Sequence, residues 1–436
     1  MRLLLIDPMG TGLAFGWRAA LAGHKVKWFV SNKPTDDPTI GMGFPVTKVE
    51  NWRNHISWAE LIFTTDNSKF ISQLNALKAQ GAPYFGPSVE STNLEIKRGE
   101  GMKFLQRHGI DAPPFQIFKN LKEAEDFVWK NEKRWVFKTL GDNEDKSLSY
   151  CSKSPADMIA RLRRWQKLGM NAKGEVMLQE FILGVEIGVS RWMGSNGWVS
   201  DPNINFEQKK LMPGNYGPNT GEMGTVMFYV KQDKLDDEVM KPLERVLMQM
   251  GHLGDIDLNC IVDEKGKAWP LEFTSRPGWP AFNMMLEQHK GDPVKWMKDA
   301  LEGKRSLEVS HEVGVCVVIA QPDFPYCKAP KEGKAGVPIY LKSTKHMQPQ
   351  EVRIEKLPIM EGEKVVEKEM WATAGEYLGV VTAMGSTVSI ARKNAYRTVK
   401  EIQVPDAIIR DDIGENLEKD LPELQKHGYV KGIRWQ

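Results

Sequence analysis

The chain has 436 residues, 41% of them hydrophobic and 27% charged, which excludes a disordered or fibrous protein and leaves room for several cores. A formal net charge of +2 excludes nucleic-acid binding driven by bulk charge, and no apolar run reaches the roughly 18 residues of a membrane span. The four cysteines, Cys151, Cys260, Cys316 and Cys327, form no CxxC pair, so neither a zinc ribbon nor a disulfide framework is indicated, and we expect a cytoplasmic protein. RLLLID (2–7) reads as a strand buried on both faces, followed by the glycine-bearing PMGTGLAFGW and a helix over WRAALAGH. HKVKWFV (24–30) and AELIFTTD (59–66) read as further strands, with the helix FISQLNALKAQG after the latter. This alternation predicts a parallel sheet with right-handed crossovers. The loop glycines are spaced GxGxxxG, and strand 24–30 ends in Val30-Ser31 with no acid for a ribose, so a tight turn is favoured over a dinucleotide site.

Residues 86–115 have a helical middle that stops at Gly109 and Pro113-Pro114. WVFKTLGDNEDKSLSYC (135–151) reads as strand, polar loop, strand, and 176–194 as two strands with a further hairpin at Asn196-Gly197. YGPNTGEMG (216–224) reads as a loop, and 254–273 as a hairpin turning at Glu264-Lys265-Gly266. Beyond residue 311, the runs GVCVVIAQP, VPIYL and EYLGVVTAMG and the helix SIARKNAYRTVKEIQ predict a separate C-terminal α+β domain.

WPLEFTSR (269–276) carries Glu272, Thr274 and Arg276 on alternate positions, which puts all three on one face of a strand. A surface strand with a salt bridge is one reading; an anion and a cation held at a binding site is the other. Asp255 and Asp257 alternate in the same way on the preceding strand.

The order of GPS at 86, LQRHGI, FK at 137–138, QEFILGVEIGV, GPNTGEMG, LEFTSR, DALEGK and YLGVVTAMGSTVSIARKNAYRTVKEI resembles phosphoribosylamine–glycine ligase, an ATP-grasp family of purine biosynthesis. The resemblance implies an α/β and α+β multidomain protein. It places a Rossmann-like substrate domain at 1–85, an ATP-grasp core at 86–111 and 183–310, a lid subdomain at 112–182 and the C-terminal domain at 311–436. It implies ATP and Mg2+ (or Mn2+) as cofactors, with glycine and phosphoribosylamine, or another amine, as substrates, in a monomer or homodimer with no membrane or nucleic-acid partner. Arg98, Lys138, Lys146, Glu180, Phe181 and Glu186 fall at its nucleotide positions, with Lys97 the alternative to Arg98. Glu272, Thr274 and Asp257, or Asp255 in its place, fall at the metal. Arg276, Lys209 and Lys210 fall at the reacting groups, and Glu207, Asn219, Thr220 and Gly221 at the substrate.

The chain departs from the family pattern in three places. TLGDNEDKS replaces a glycine-rich phosphate loop and carries Asp142, Glu144 and Asp145. MGTGLAFG stands where the family has GGREHA, and has no charge. SRPGWPAF puts Trp279 where the family has an acid, and Thr274 stands for an Asn. Two other functions are therefore carried alongside: a carboxylate–amine ligase with a different acceptor, and a nucleotide-binding protein without catalysis.

Overall fold

The computed structural model describes residues 1–31, 39–140, 149–169, 175–326 and 335–436. The N-terminal part is a five-stranded, fully parallel sheet in the order Thr47–Lys48, Lys25–Val30, Arg2–Asp7, Leu61–Thr64, Tyr84–Phe85. Its central strand Arg2–Asp7 is buried from Leu3 onward, as a strand covered on both faces must be. The helix that follows spans Leu13–Leu21, starting four residues before the tract read from sequence. The glycine loop is shorter than it reads because the Asp7 carboxylate gathers the amides of Thr11 and Gly12 at 3.1 and 2.6 Å and so starts the first turn. Asp7 also accepts from Trp28 Nε1 at 2.9 Å and Thr65 Oγ1 at 2.6 Å.

The 86–115 region is two helices, Val89–Ile96 and Arg98–Arg107, broken at Lys97. Ser88 and Ser91 form a reciprocal capping box on the first. The break lets the second helix start beside the Ala268–Thr274 strand. Gly101 permits the close approach, since a Cβ there would lie 2.4 Å from the Leu94 carbonyl oxygen.

Within residues 112–182, four antiparallel strands run in the order Phe115–Phe118, Val176–Glu180, Trp135–Thr139, Tyr150–Cys151. Helices Leu121–Lys130 and Pro155–Lys167 cover them, and the unit closes its own core around Trp135, Phe137, Leu162 and Trp165.

A long antiparallel sheet forms the body. Its order is Ala268–Thr274, Gly254–Asp263, Gly184–Gly194, Asn203–Glu207, Gly224–Tyr229, Val313–Ala320, Tyr377–Gly385, Met347–Pro349. Residues from 311 onward, expected as a separate domain, thus add strands to the sheet that carries the Glu272 strand. The Val313–Ala320 strand is buried at every position and pairs on both edges, so it cannot stand apart from its neighbours. The YGPNTGEMG tract, read as a loop, contains the strand Tyr216–Asn219, paired with Lys210–Met212. A hairpin of Val352–Glu361 and Lys364–Thr373 was not read from the sequence.

Candidate active site

In an antiparallel sheet, directly opposed residues share a face. Asn259 opposes Glu272, and Asp257 opposes Thr274. Gly188 opposes both Asn205 and Asn259, and Ser190 opposes both Asn203 and Asp257. Four strands therefore deliver Glu186, Glu207, Asp257, Asn259, Glu272 and Thr274 to one surface.

Cations meet this surface from three directions. Arg98, in the first turn after the helix break, lies 3.3 Å from Glu272. Lys209, just beyond the Asn203–Glu207 strand, lies 2.8 Å from Glu186, 2.9 Å from Glu207 and 3.8 Å from Glu272. These carboxylates together outweigh its burial and hold its ammonium well above the ordinary lysine range. Lys138 comes from the strand Trp135–Thr139 and donates to the Leu271 carbonyl at 3.4 Å. It is 9% exposed, and burial drives its pKa down to about 8; Glu272 opposes the shift, while Arg98 and Lys209 reinforce it.

The acids below are pushed the other way. Asp257 is held by Asn205 Nδ2 at 2.7 Å, yet burial, with Glu207 beside it, raises its pKa to about 7. Asn259 Nδ2 donates to Glu207 at 2.9 Å. Burial raises Glu222 well above the carboxylate range, and it accepts a hydrogen bond from Thr225. The arrangement is a cation-lined face over an acidic floor, suited to a polyanion that brings its own metal.

Comparison with known proteins agrees with that chemistry. Residues 101–254 match the model of the phosphoribosylglycinamide synthetase ATP-grasp (A) domain. The chain is 24% identical over 433 residues to the phosphoribosylamine–glycine ligase of Mesorhizobium japonicum, covering 95% of this chain and 98% of that protein. To the enzyme of the same name from Ralstonia nicotianae it is 26% identical over 355 residues, covering 78% and 80%. The crystal structure of phosphoribosylamine–glycine ligase from Thermotoga maritima has the same fold, with a TM-score of 0.70 at 20% identity over 95% of this chain and 100% of that one. The chain has the fold of phosphoribosylamine–glycine ligase and is similar to those enzymes, with an ATP-grasp domain match over residues 101–254.

Within this fold the structure brings together Arg98, Lys138, Glu186, Glu207, Lys209, Glu272, Thr274 and Asp257. Magnesium takes hard oxygen ligands and keeps several waters and phosphate oxygens, so one or two carboxylates are enough to hold it. Glu272, with Thr274 on the same face and Asp257 opposite, fits that requirement. Among the described residues no three His, Cys, Asp or Glu side chains converge into a closed metal cage.

Other expected residues lie further out. Glu180 is tied to Lys133 at 2.9 Å, and the Phe181 ring is covered by the Arg134 guanidinium 3.4 Å from its centroid, both where the chain passes from the Val176–Glu180 strand toward Gly184–Gly194. Arg276 lies past the end of the strand, so its alternation with Glu272 does not carry through. It pairs with Glu95 at 3.5 Å and donates to the Pro277 carbonyl at 3.0 Å. Lys210 opposes Asn219 across the short hairpin, and Thr220 returns its amide and hydroxyl to the Lys209 carbonyl at 2.8 and 2.9 Å. Asn219 and Gly221 are exposed. Lys146 and the acidic tract Asp142, Glu144 and Asp145 lie outside the described residues. Trp279 packs edge-on against Phe282.

One positioning residue was missed. Arg410 is 1% exposed and donates to the Lys210 carbonyl at 2.9 Å, Asn215 Oδ1 at 2.9 Å, Gln208 Oε1 at 3.1 Å and Asp412 Oδ2 at 3.1 Å. It fixes both ends of the tract that presents Lys209.

Proposed function

We propose that the chain is an ATP-dependent ligase that joins glycine to 5-phosphoribosylamine, giving glycinamide ribonucleotide, ADP and phosphate. The observation that carries this reading is the convergence of Arg98, Lys138 and Lys209 around Glu272. In the first stage a carboxylate oxygen of glycine attacks the γ-phosphorus, the bond to ADP breaks, and an acyl phosphate forms. In the second the amine attacks the acyl carbon, phosphate leaves, and the nitrogen gives up a proton. Neither stage needs a covalent bond to protein, so the chain's share is positioning and charge stabilisation.

Arg98 and Lys138 would neutralise charge on the transferring and leaving phosphates. Lys209, already oriented by three carboxylates, would face the acyl phosphate; Arg276, paired with Glu95 beyond the strand end, would serve as a planar anion clamp only after leaving that pair. Glu272, Thr274 and Asp257 would hold magnesium, which supplies positive charge to the phosphoryl oxygens when bound. Glu186 would meet the ribose of ATP, and Glu180 and Phe181 the adenine at the junction. Lys146, outside the described residues, would act from the lid. Lys210, Asn219, Thr220 and Gly221 would border the acceptor. Closure of the 112–182 unit would exclude water from the acyl phosphate.

The test is ADP release with glycine and freshly generated phosphoribosylamine. Release that needs glycine and both ATP and amine supports the reading; release indifferent to phosphoribosylamine sinks it. A second reading, a different acceptor amine, is favoured by Asp7, whose carboxylate already occupies the Thr11 and Gly12 amides at the start of the first helix. A phosphate would need those donors and would meet a carboxylate instead. Turnover with glycine and a non-phosphorylated amine, at rates above phosphoribosylamine, would select it.

A further inference from the structure

Arg276 lies beyond the end of its strand, so something other than the sheet must hold the tract that carries it. The helix break at Lys97 does this with two residues of opposite charge. After the break, Arg98 meets Glu272 at 3.3 Å, at one end of the tract. Before the break, Glu95 meets the other end, accepting from the Ser275 amide at 2.7 Å and lying 3.5 Å from Arg276. A third segment joins them. Asn67, in the loop after the strand Leu61–Thr64, donates from Nδ2 to Glu95 Oε2 at 2.7 Å and to Ser275 Oγ at 2.9 Å.

This joint is buried and closed. Asn67 is 6% exposed and Ser275 0%. A carboxylate only accepts, so it fixes which way the Asn67 amide turns, and both Nδ2 hydrogens are engaged. A satisfied polar network of this kind specifies one arrangement of the segments that meet in it. The two Glu95 oxygens differ in their duties. Oε2 takes the short bonds from Asn67 and Ser275, whereas Oε1 faces Arg276 at ion-pair distance. Glu95 is thus anchored independently of Arg276, whose guanidinium can turn toward an anion while its neighbours stay in place. Asn67 also ties the joint to the N-terminal sheet. Its loop leaves the carboxyl end of a parallel strand, where ligands of open α/β sheets bind, and Thr65 of the same loop donates to Asp7 at 2.6 Å.

We propose that Glu95 is a positioning residue that joins Arg276 to the 65–69 loop of the N-terminal domain, so that the anion clamp is in place only when that domain is seated. The inference rests on the ligase reading and deepens it. It makes stabilisation of the acyl phosphate depend on the domain expected to hold the acceptor amine. Nucleotide binding through Arg98, Lys138 and Lys209 lies at the Glu272 end of the tract and does not pass through the joint.

The experiment combines steady-state kinetics with hydrogen-exchange mass spectrometry on the full chain. Glu95→Ala and Asn67→Ala are each expected to lower kcat for ADP release with glycine and phosphoribosylamine about tenfold, the scale of a misplaced group, with KM for Mg-ATP unchanged. Added to Arg276→Met, Glu95→Ala is expected to lower the rate no further, because the two act as one unit. In both single variants the 65–69 and 273–278 segments are expected to exchange faster together, with the 254–263 strand unchanged. Circular dichroism checks folding, and Glu95→Gln, which keeps the shape, carries every comparison if Glu95→Ala fails to fold. Losses that add in the double variant overturn the proposal, as does a KM for Mg-ATP that rises in step with the fall in kcat. So does faster exchange in only one of the two segments. Faster exchange of both segments in a protein that never releases ADP upholds the joint and sinks the ligase reading. Unchanged exchange or unchanged kcat in a protein that does release ADP with glycine and phosphoribosylamine sinks the joint and leaves the ligase reading standing.

Discussion

Lys138 should take up a proton when nucleotide binds, and the amount should depend steeply on pH. Its pKa of about 8 in the unliganded site stands some 2.5 units below an ordinary lysine, which corresponds to ~3 kcal/mol against the charged form. A triphosphate placed against the ammonium reverses that penalty and returns the group toward its ordinary value. Uptake should then be about 0.1 proton at pH 7, about 0.5 at pH 8 and about 0.9 at pH 9. Calorimetry of Mg-ATP binding without amino acid, repeated in buffers of different ionisation enthalpy, reads the number directly. Lys138→Met should abolish the pH-dependent part. Uptake that does not rise from pH 7 to pH 9, or that persists in the variant, refutes the reasoning. The same shift sets a stability trend. The folded pKa lies below the unfolded one, so between about pH 8 and 10.5 the unfolded chain holds more protons and the unliganded protein gains stability as pH rises.

Glu272→Gln removes the carboxylate 3.3 Å from Arg98; magnesium-dependent ADP release should fall at least ~100-fold with little change in urea midpoint. Because Glu272 supports the charged form of Lys138, the midpoint of proton uptake in that variant should move below pH 8 in the same calorimetry. Arg410→Met strands Asp412 and three acceptors in the 208–215 tract, so urea unfolding should show a loss of ~3–5 kcal/mol, with kcat reduced before the fold is lost. Asp7→Ala leaves the Gly12 amide, Trp28 Nε1 and Thr65 Oγ1 without their acceptor and should cost ~3 kcal/mol in the same assay, with Mg-ATP affinity unchanged.

Local pattern was enough for much of this. Apolar runs named the parallel strands, and the alternation Glu272, Thr274 named two groups on one face, because strand geometry is local. The same logic was available at Asn203, Asn205 and Glu207, where polar residues alternate with Ile204 and Phe206. The signal was present in NINFE, but asparagine in a strand reads as a turn residue unless its neighbours are known. Arg276 failed the extrapolation because the strand ends at Thr274, and period 2 holds only inside a strand. Arg410 was beyond reach, since its partners at 208–215 lie some 200 residues away in sequence. The merging of the C-terminal strands into the long sheet was hidden for the same reason: strand composition says that an edge must be covered, not by which segment.

The ion pairs of the unliganded site explain how it tolerates its own charge. Arg98 and Lys209 are engaged by Glu272, Glu186 and Glu207 rather than held bare, which lowers the electrostatic cost of folding five charged groups into one cleft. Nucleotide alone would draw Arg98 toward phosphate and take from Glu272 the cation at 3.3 Å, leaving the more distant Lys209 at 3.8 Å. Magnesium alone would draw Glu272 and leave Arg98 short of an anion. Only the two together exchange one ion pair for two without stranding a charge. On the proposed function, selectivity for the metal–nucleotide complex over either component would reside in the Arg98–Glu272 contact and would not require a rigid metal cage.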